Sequence, residues 1–112
     1  MKTLTLPYPP TLNNLYVTVR GRRILSKRGK EFKSDVQKIC LEQKAFKLSG
    51  ELSLKIAVYR PRKSGDLDNT LKIIQDSLKG ICFDDDKQIV EIHAHRFDDK
   101  ENPRAVVTYW KI

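Results

Sequence analysis

Long apolar runs are missing from this chain of 112 residues, as are most devices on which secreted or cofactor-bearing domains rely. No stretch approaches the roughly 18 consecutive apolar residues of a membrane span. The opening Met1 to Pro7 is too short for a secretory leader, so a chain outside the membrane is expected. Cysteine is scarce: Cys40 and Cys82 lie far apart with no C-x-x-C spacing, which argues against a disulfide scaffold or zinc knuckle and for a reducing, cytoplasmic setting. Neither cysteine has an identifiable base beside it, and there is no G-x-S-x-G elbow. A G-x-x-x-x-G-K-[ST] loop is also absent, which removes P-loop nucleotide hydrolysis and leaves no nucleotide cofactor expected. Internal repeats and low-complexity segments are lacking, and the length suits one domain over residues 1–112. A domain of this size buries about two thirds of the surface its unfolded chain exposes, enough to fold without a covalent or metal staple.

Acidic residues are sparse in the first half. The formal net charge is +8, but residues 1–65 hold 15 Lys/Arg against 4 Asp/Glu, whereas residues 66–112 hold 7 against 10. A basic half suits a polyanion, because Lys/Arg contacts that release condensed counterions supply much of the affinity for nucleic acid.

Lys2–Leu6 alternates as a strand, and Pro7-Tyr8-Pro9-Pro10 then forces an extended path. Leu15–Val19 and Arg22–Leu25 read as a hairpin about Arg20-Gly21, where glycine takes a positive φ. Ser26 is placed to cap a helix running to about Lys47, with Phe32, Val36, Ile39, Cys40 and Gln43 on one stripe and Ser49-Gly50 as its end. Its first turns carry Lys27, Arg28, Lys30 and Lys33, which oppose the helix dipole and so need a reason other than helix stability. Leu52–Tyr59 is a strand and Arg60–Gly65 a basic loop. A second helix over Leu67–Lys79 shows Leu67, Leu71, Ile74 and Leu78 at helical spacing, with Asp66 as cap and Gly80 as stop. Gln88–Phe97 and Arg104–Lys111 read as two antiparallel strands about the turn Asp98–Asn102. The expected fold is α/β (α+β): a mixed β-sheet with two main helices in the order β-ββ-α-β-α-β-β.

Asp66-x-Asp68-Asn69 at the second helix's start, Lys72 one turn on, and the run Asp84-Asp85-Asp86 have the character of a metal site. Carboxylates are hard oxygen ligands suited to Mg²⁺. Singly, Asp66 and Lys72 also fit a helix cap and an Asp68–Lys72 surface pair. Three consecutive aspartates repel one another, and a bound cation compensates them; Lys79, Lys87 and solvent are the alternative. Asn69 fits either an orienting donor to such ligands or a local backbone bond. His93 and His95, two apart on a strand, share a face that zinc could use, but the further ligands are missing, and a half-buried strand face accounts for them.

Leu6-Pro7-Tyr8-Pro9-Pro10-Thr11-Leu12-Asn13-Asn14, then Asp66-Leu67-Asp68-Asn69-Thr70-Leu71-Lys72, then Asp85-Asp86-Lys87-Gln88-Ile89 resemble, in this order and spacing, the RusA-like Holliday junction resolvases. The likeness spans nearly the whole chain. It implies the RusA-like fold and a homodimeric, Mg²⁺-dependent endonuclease, with Mn²⁺ as substitute, that cuts four-way DNA junctions in recombination and repair and is often phage- or prophage-encoded. The resemblance maps the metal-binding aspartates onto Asp66, Asp68 and Asp86, with Asp85 a neighbouring acid and Lys72 the essential lysine. Asp84 departs from the family, which has an apolar residue there. In this reading the carboxylates hold the metal, Lys72 positions the scissile phosphate or stabilises the departing oxygen, and Arg20, Arg22, Arg23, Lys27, Arg28, Lys30, Arg60, Arg62 and Lys63 contact the DNA backbone. A two-fold dimer suits a junction that must be nicked in two opposed strands. The competing readings are a DNA-binding module without catalysis and a related nuclease acting on forks or flaps.

Overall fold

The computed structural model describes residues 1–10, 16–63 and 67–112. Leu4 and Leu6 alternate along strand β1 (Lys2–Pro7) and are buried, while Thr3 and Thr5 stay exposed. Strands β2 (Tyr16–Val19) and β3 (Arg22–Leu25) form a separate two-stranded sheet. The intervening Arg20 (φ 53°) and Gly21 (φ 75°) are both left-handed, as the twist of a two-residue hairpin turn demands. Helix α1 (Lys27–Glu42) follows, and its Ser26 cap accepts a hydrogen bond from the Gly29 amide at 3.1 Å. Strand β4 (Leu52–Arg60), helix α2 (Leu67–Leu78), a 3₁₀ turn (Asp86–Gln88), β5 (Ile89–Asp98) and β6 (Arg104–Lys111) complete the order.

The main sheet runs β1-β6-β4-β5, with β4 and β5 parallel and the other pairs antiparallel. Phe32, Val36 and Cys40 of α1 and Ile73, Ile74 and Leu78 of α2 join Leu4, Leu6, Leu54, Ile56, Val58, Val107 and Tyr109 in one core. Tyr109 is fully buried, and its hydroxyl donates to the Phe46 carbonyl at 2.6 Å while accepting from the Phe46 amide at 3.0 Å. Burial of that phenol is thereby matched by partners on both sides.

Three expectations are corrected. The antiparallel strands β5 and β6 are not partners, because β4 lies between them. Strand β4 buries residues on both faces and takes a central place, while β5 carries Glu91, His93, His95 and Arg96, all exposed, and takes the edge. Helix α1 stops at Glu42 and not near Lys47. Lys44 adopts φ 59°, and the Ala45 amide closes on the Cys40 carbonyl at 2.8 Å, which turns the chain toward Phe46 and its Tyr109 bond. On α2 the buried line is Thr70, Ile73, Ile74, Ser77 and Leu78, with Leu67 and Leu71 only partly covered. Leu15, the Thr11–Asn14 motif and the expected cap Asp66 lie outside the described residues.

Both cysteines are free and buried. Burial raises the Cys40 thiol and pushes Cys82 up to about 11. Since the thiolate is the nucleophile, neither is expected to react with a thiol reagent at pH 8 while the chain is folded, and both should react once guanidinium unfolds it. Labelling counted by mass spectrometry checks this; fast labelling of Cys82 in the folded protein would contradict it.

Candidate metal centre and nucleic-acid interface

The candidate residues fall at two ends of the molecule. Strand β4 is followed in sequence by α2, whose first turn presents Asp68 and Asn69, both exposed. The companion Asp66 lies outside the described residues. Lys72 is exposed one turn on, with Nζ 3.6 Å from Asp76 Oδ2. The expected Asp68–Lys72 pair is therefore replaced by Lys72–Asp76, and Asp68 has no ion-pair partner among the described residues. An exposed helical pair of this kind is worth about 0.3–0.5 kcal/mol, so it leaves Lys72 free to turn to a stronger anion.

Arg60, at the end of β4, is buried. Its Nε donates to Asp98 Oδ1 at 2.7 Å, and its carbonyl accepts from the Asp99 amide at 2.7 Å. Asp99 in turn holds Arg104 at 2.8 Å, and the Arg104 guanidinium lies 3.8 Å over the Tyr59 ring. Hydrogen bonds from Arg60 and Arg104 hold the Asp98 and Asp99 carboxyls below their ordinary range. Carboxylates shifted this way support the fold above the usual carboxylate range and lose that support as pH falls through their lowered values. Arg60 is thus engaged inside the protein, unlike the exposed Arg62 and Lys63 beyond it.

The three consecutive aspartates are sorted by their neighbours. Asp84 Oδ1 pairs with Lys47 Nζ at 2.7 Å. Asp85 caps the 3₁₀ turn, Oδ1 accepting from the Lys87 amide at 3.0 Å. Asp86 is exposed and has no ion-pair partner among the described residues. Gln88 ties the turn down, a role the sequence reading did not assign. Its Oε1 accepts from the Asp84 amide at 2.8 Å and the Asp85 amide at 3.1 Å, and its Nε2 donates to the Leu48 and Gly50 carbonyls, each at 2.9 Å. The D-D-x-Q spacing was the available signal.

These contacts also locate the acidic turn. Leu48 and Gly50 precede β4, and the Leu48 amide binds the Cys82 carbonyl just past α2, so the turn sits where β4 begins. Asp68 sits beyond where β4 ends. Between them lies the length of α2, twelve residues or about 18 Å. Within one chain, Asp68 and Asp86 thus stand at opposite ends of α2. Among the described residues there is no group of three His, Cys, Asp or Glu that could hold a metal. His93 and His95 are exposed and stack against Trp110 (6.3 Å) and Phe97 (6.4 Å).

The basic residues Arg20, Arg22 and Arg23 crown the hairpin, and Lys27, Arg28 and Lys30 line the first turns of α1. All are exposed, and no acidic residue interrupts positions 16–30. Arg23 lies 4.6 Å over the Tyr16 ring, which steadies one cation of the set. Such a surface suits phosphate contacts that position a duplex without reading its bases. No helix is long and apolar enough to cross a membrane among the described residues.

Residues 7–109 match the family model described as endodeoxyribonuclease RusA. The chain is similar to the crossover junction endodeoxyribonuclease RusA of Escherichia coli strain K12, 33% identical over 109 residues covering 95% of this chain and 91% of that protein. The enzymes of the same name from Enterobacteria phages HK97 and 82 are 34% and 33% identical, over 81% and 94% of this chain and 78% and 90% of theirs.

Proposed function

The chain belongs to the RusA endodeoxyribonuclease family, and from that premise we propose that it is a homodimeric crossover junction endonuclease whose metal centre is completed between protomers. The observation that carries the second part is the separation of Asp68 from Asp86 by the length of α2. A two-fold dimer whose protomers run in opposite directions sets the Asp68 end of one against the acidic turn of the other, twice. Both carboxylates are hard donors, exposed and without ion-pair partners among the described residues, and so fit a divalent cation. With Asp66 they would hold Mg²⁺, with Mn²⁺ as substitute; Asp85 is the less available acid because its carboxylate caps the turn. A bound Mg²⁺ supplies a water of lowered pKa and neutralises charge at phosphorus.

Lys72 then exchanges its weak Asp76 contact for the scissile phosphate or the departing oxygen. Arg20, Arg22, Arg23, Lys27, Arg28, Lys30, Arg62 and Lys63 hold the DNA backbone, and junction preference comes from shape and deformability. The site of action is the cytoplasm, where the DNA is. The test is symmetric cleavage of a labelled four-way junction with Mg²⁺, in competition with fork, flap and duplex substrates. Lys72→Ala should lower the cleavage rate about 10²–10³-fold while junction binding, read by gel shift, changes less than about threefold. Equal cleavage by Lys72→Ala and wild type would remove Lys72 from the site, and no cleavage of any branched substrate would favour a DNA-binding module.

A further inference from the structure

We infer that the cavity between the β2–β3 hairpin, α1 and α2 receives an unstacked guanine of the branched DNA, with the Asp76 carboxylate on the donor edge of that base. The inference rests on the nuclease reading above and adds to it a contact that reads a base. The cavity has a volume of about 250 Å³. That is below the roughly 300–1,000 Å³ of sites for drug-sized ligands, so it suits one flat ring system and not a whole nucleotide. Tyr16 and Phe32 supply aromatic walls and Ile73 an aliphatic one. Aromatic surface of this kind is what an unpaired base stacks on. Gly29 of α1 lines the same space. Glycine in a helix is less stable than alanine, and here it leaves open the room a side chain would take.

The polar groups of the cavity select its occupant. Lys33 and Asp76 both line it, yet among the described residues Lys33 has no ion-pair partner and Asp76 pairs with Lys72 instead. Opposite charges left apart on one cavity suit a ligand that carries an acceptor beside donors. Guanine does so on its Watson–Crick edge, where O6 accepts and N1–H and N2–H₂ donate side by side toward the two oxygens of a carboxylate. Cytosine and adenine offer a carboxylate one amino group next to a ring acceptor that repels it, and thymine flanks its single N–H with two carbonyls. Ser77 also lines the cavity, but its hydroxyl donates to the Ile74 carbonyl at 2.7 Å, which leaves the choice of base to Asp76. Lys33 continues the series Lys27, Arg28 and Lys30 along α1, and Arg23 lies 4.6 Å over the Tyr16 ring, so cations that hold phosphates stand beside the cavity walls.

Position supplies the independent argument. Asp76 lies 3.6 Å from the Lys72 ammonium, so one carboxylate borders both the cavity and the lysine assigned to the scissile phosphate. A guanine that takes Asp76 displaces this weak exposed pair and frees Lys72 for phosphate. Reading the base and positioning the phosphate thereby become one event. Extruding a base costs a few kcal/mol in an intact duplex and least where it is already unpaired or poorly stacked, so a branch point supplies the base more readily than a duplex does.

The test uses the full chain and synthetic four-way junctions in which each guanine within two nucleotides of the branch point is replaced in turn by inosine, which lacks only the N2 amine. Binding is read by gel shift in EDTA, and nicking as kcat/KM with Mg²⁺. In wild type one position should favour guanine over inosine at least about 10-fold in both readouts. Asp76→Asn, at a part-exposed position, should reduce that ratio below about twofold and leave the inosine junction bound within about threefold of wild type. Tyr16→Ala should weaken guanine and inosine junctions alike, about 10-fold, because stacking does not read the edge of the base, and Tyr16→Phe should restore both. Circular dichroism checks that each variant is folded. A guanine preference that survives Asp76→Asn, or no preference at any position, would overturn the inference. A preference for another base that Asp76→Asn abolishes would overturn the assignment to guanine. Chains that cut no branched DNA yet keep the guanine ratio in EDTA would support the cavity and refute the nuclease reading.

Discussion

Mixing Asp68→Asn chains with Asp86→Asn chains is expected to restore junction nicking that neither shows alone. Each variant by itself loses one carboxylate from both sites of the dimer and should cut about 10³-fold more slowly or worse. In a mixed dimer the two lesions meet in one composite site, and the other site receives intact Asp68 from one chain and intact Asp86 from its partner. Random exchange makes about half the dimers mixed, each with one working site, so about a quarter of wild-type nicking should return. The product should be a junction nicked in one strand and not resolved. If the acids acted within one chain, every site of the mixed dimer would lack one of them and nothing would return. Co-expressed chains with two affinity tags give the mixed dimer directly, so absent activity in a purified mixed dimer sinks the shared site.

The candidate acids were legible in the residues, but their placement was not. Asp66, Asp68, Lys72 and the 84–86 run stand out by charge and spacing. Their division between two ends of the chain's fold follows from the parallel crossover β4–α2–β5, which long-range pairing decides. The same cause hid the place of β5. Its alternation identifies a strand, yet Glu91, His93, His95 and Arg96 are compatible with several neighbours until β4, the most buried strand, claims the centre. Local devices were readable because they are local: the Ser26 cap and the Arg20-Gly21 turn stand where sequence places them. The end of α1 was not, since Gln43 and Lys44 are good helix formers. What stops the helix is tertiary: Gln43 is drawn to the edge of β1, and Phe46 to the Tyr109 hydroxyl.

Gln88 carries the second large prediction. Its amide has four hydrogen bonds, two accepted from the acidic turn and two donated to the segment entering β4, so it fixes where Asp86 is presented. It binds no metal in this scheme and acts through the turn as a positioning residue. Gln88→Ala removes all four bonds and should weaken Mn²⁺ binding, read by calorimetry, about 10–100-fold, the usual cost of losing a group that orients ligands. Cleavage at saturating metal should return to within about threefold of wild type, because the carboxylates and Lys72 remain. Gln88→Glu should fare worse: it keeps the acceptors, loses both donors, and turns a negative charge toward two carbonyls and beside Asp84, Asp85 and Asp86. Its deficit should persist at saturating Mn²⁺ and ease as pH falls toward the carboxylate range, where the introduced carboxyl, once protonated, regains one donor. Wild-type metal affinity in Gln88→Ala would show that the 3₁₀ turn holds Asp86 in place through the Asp85 cap alone.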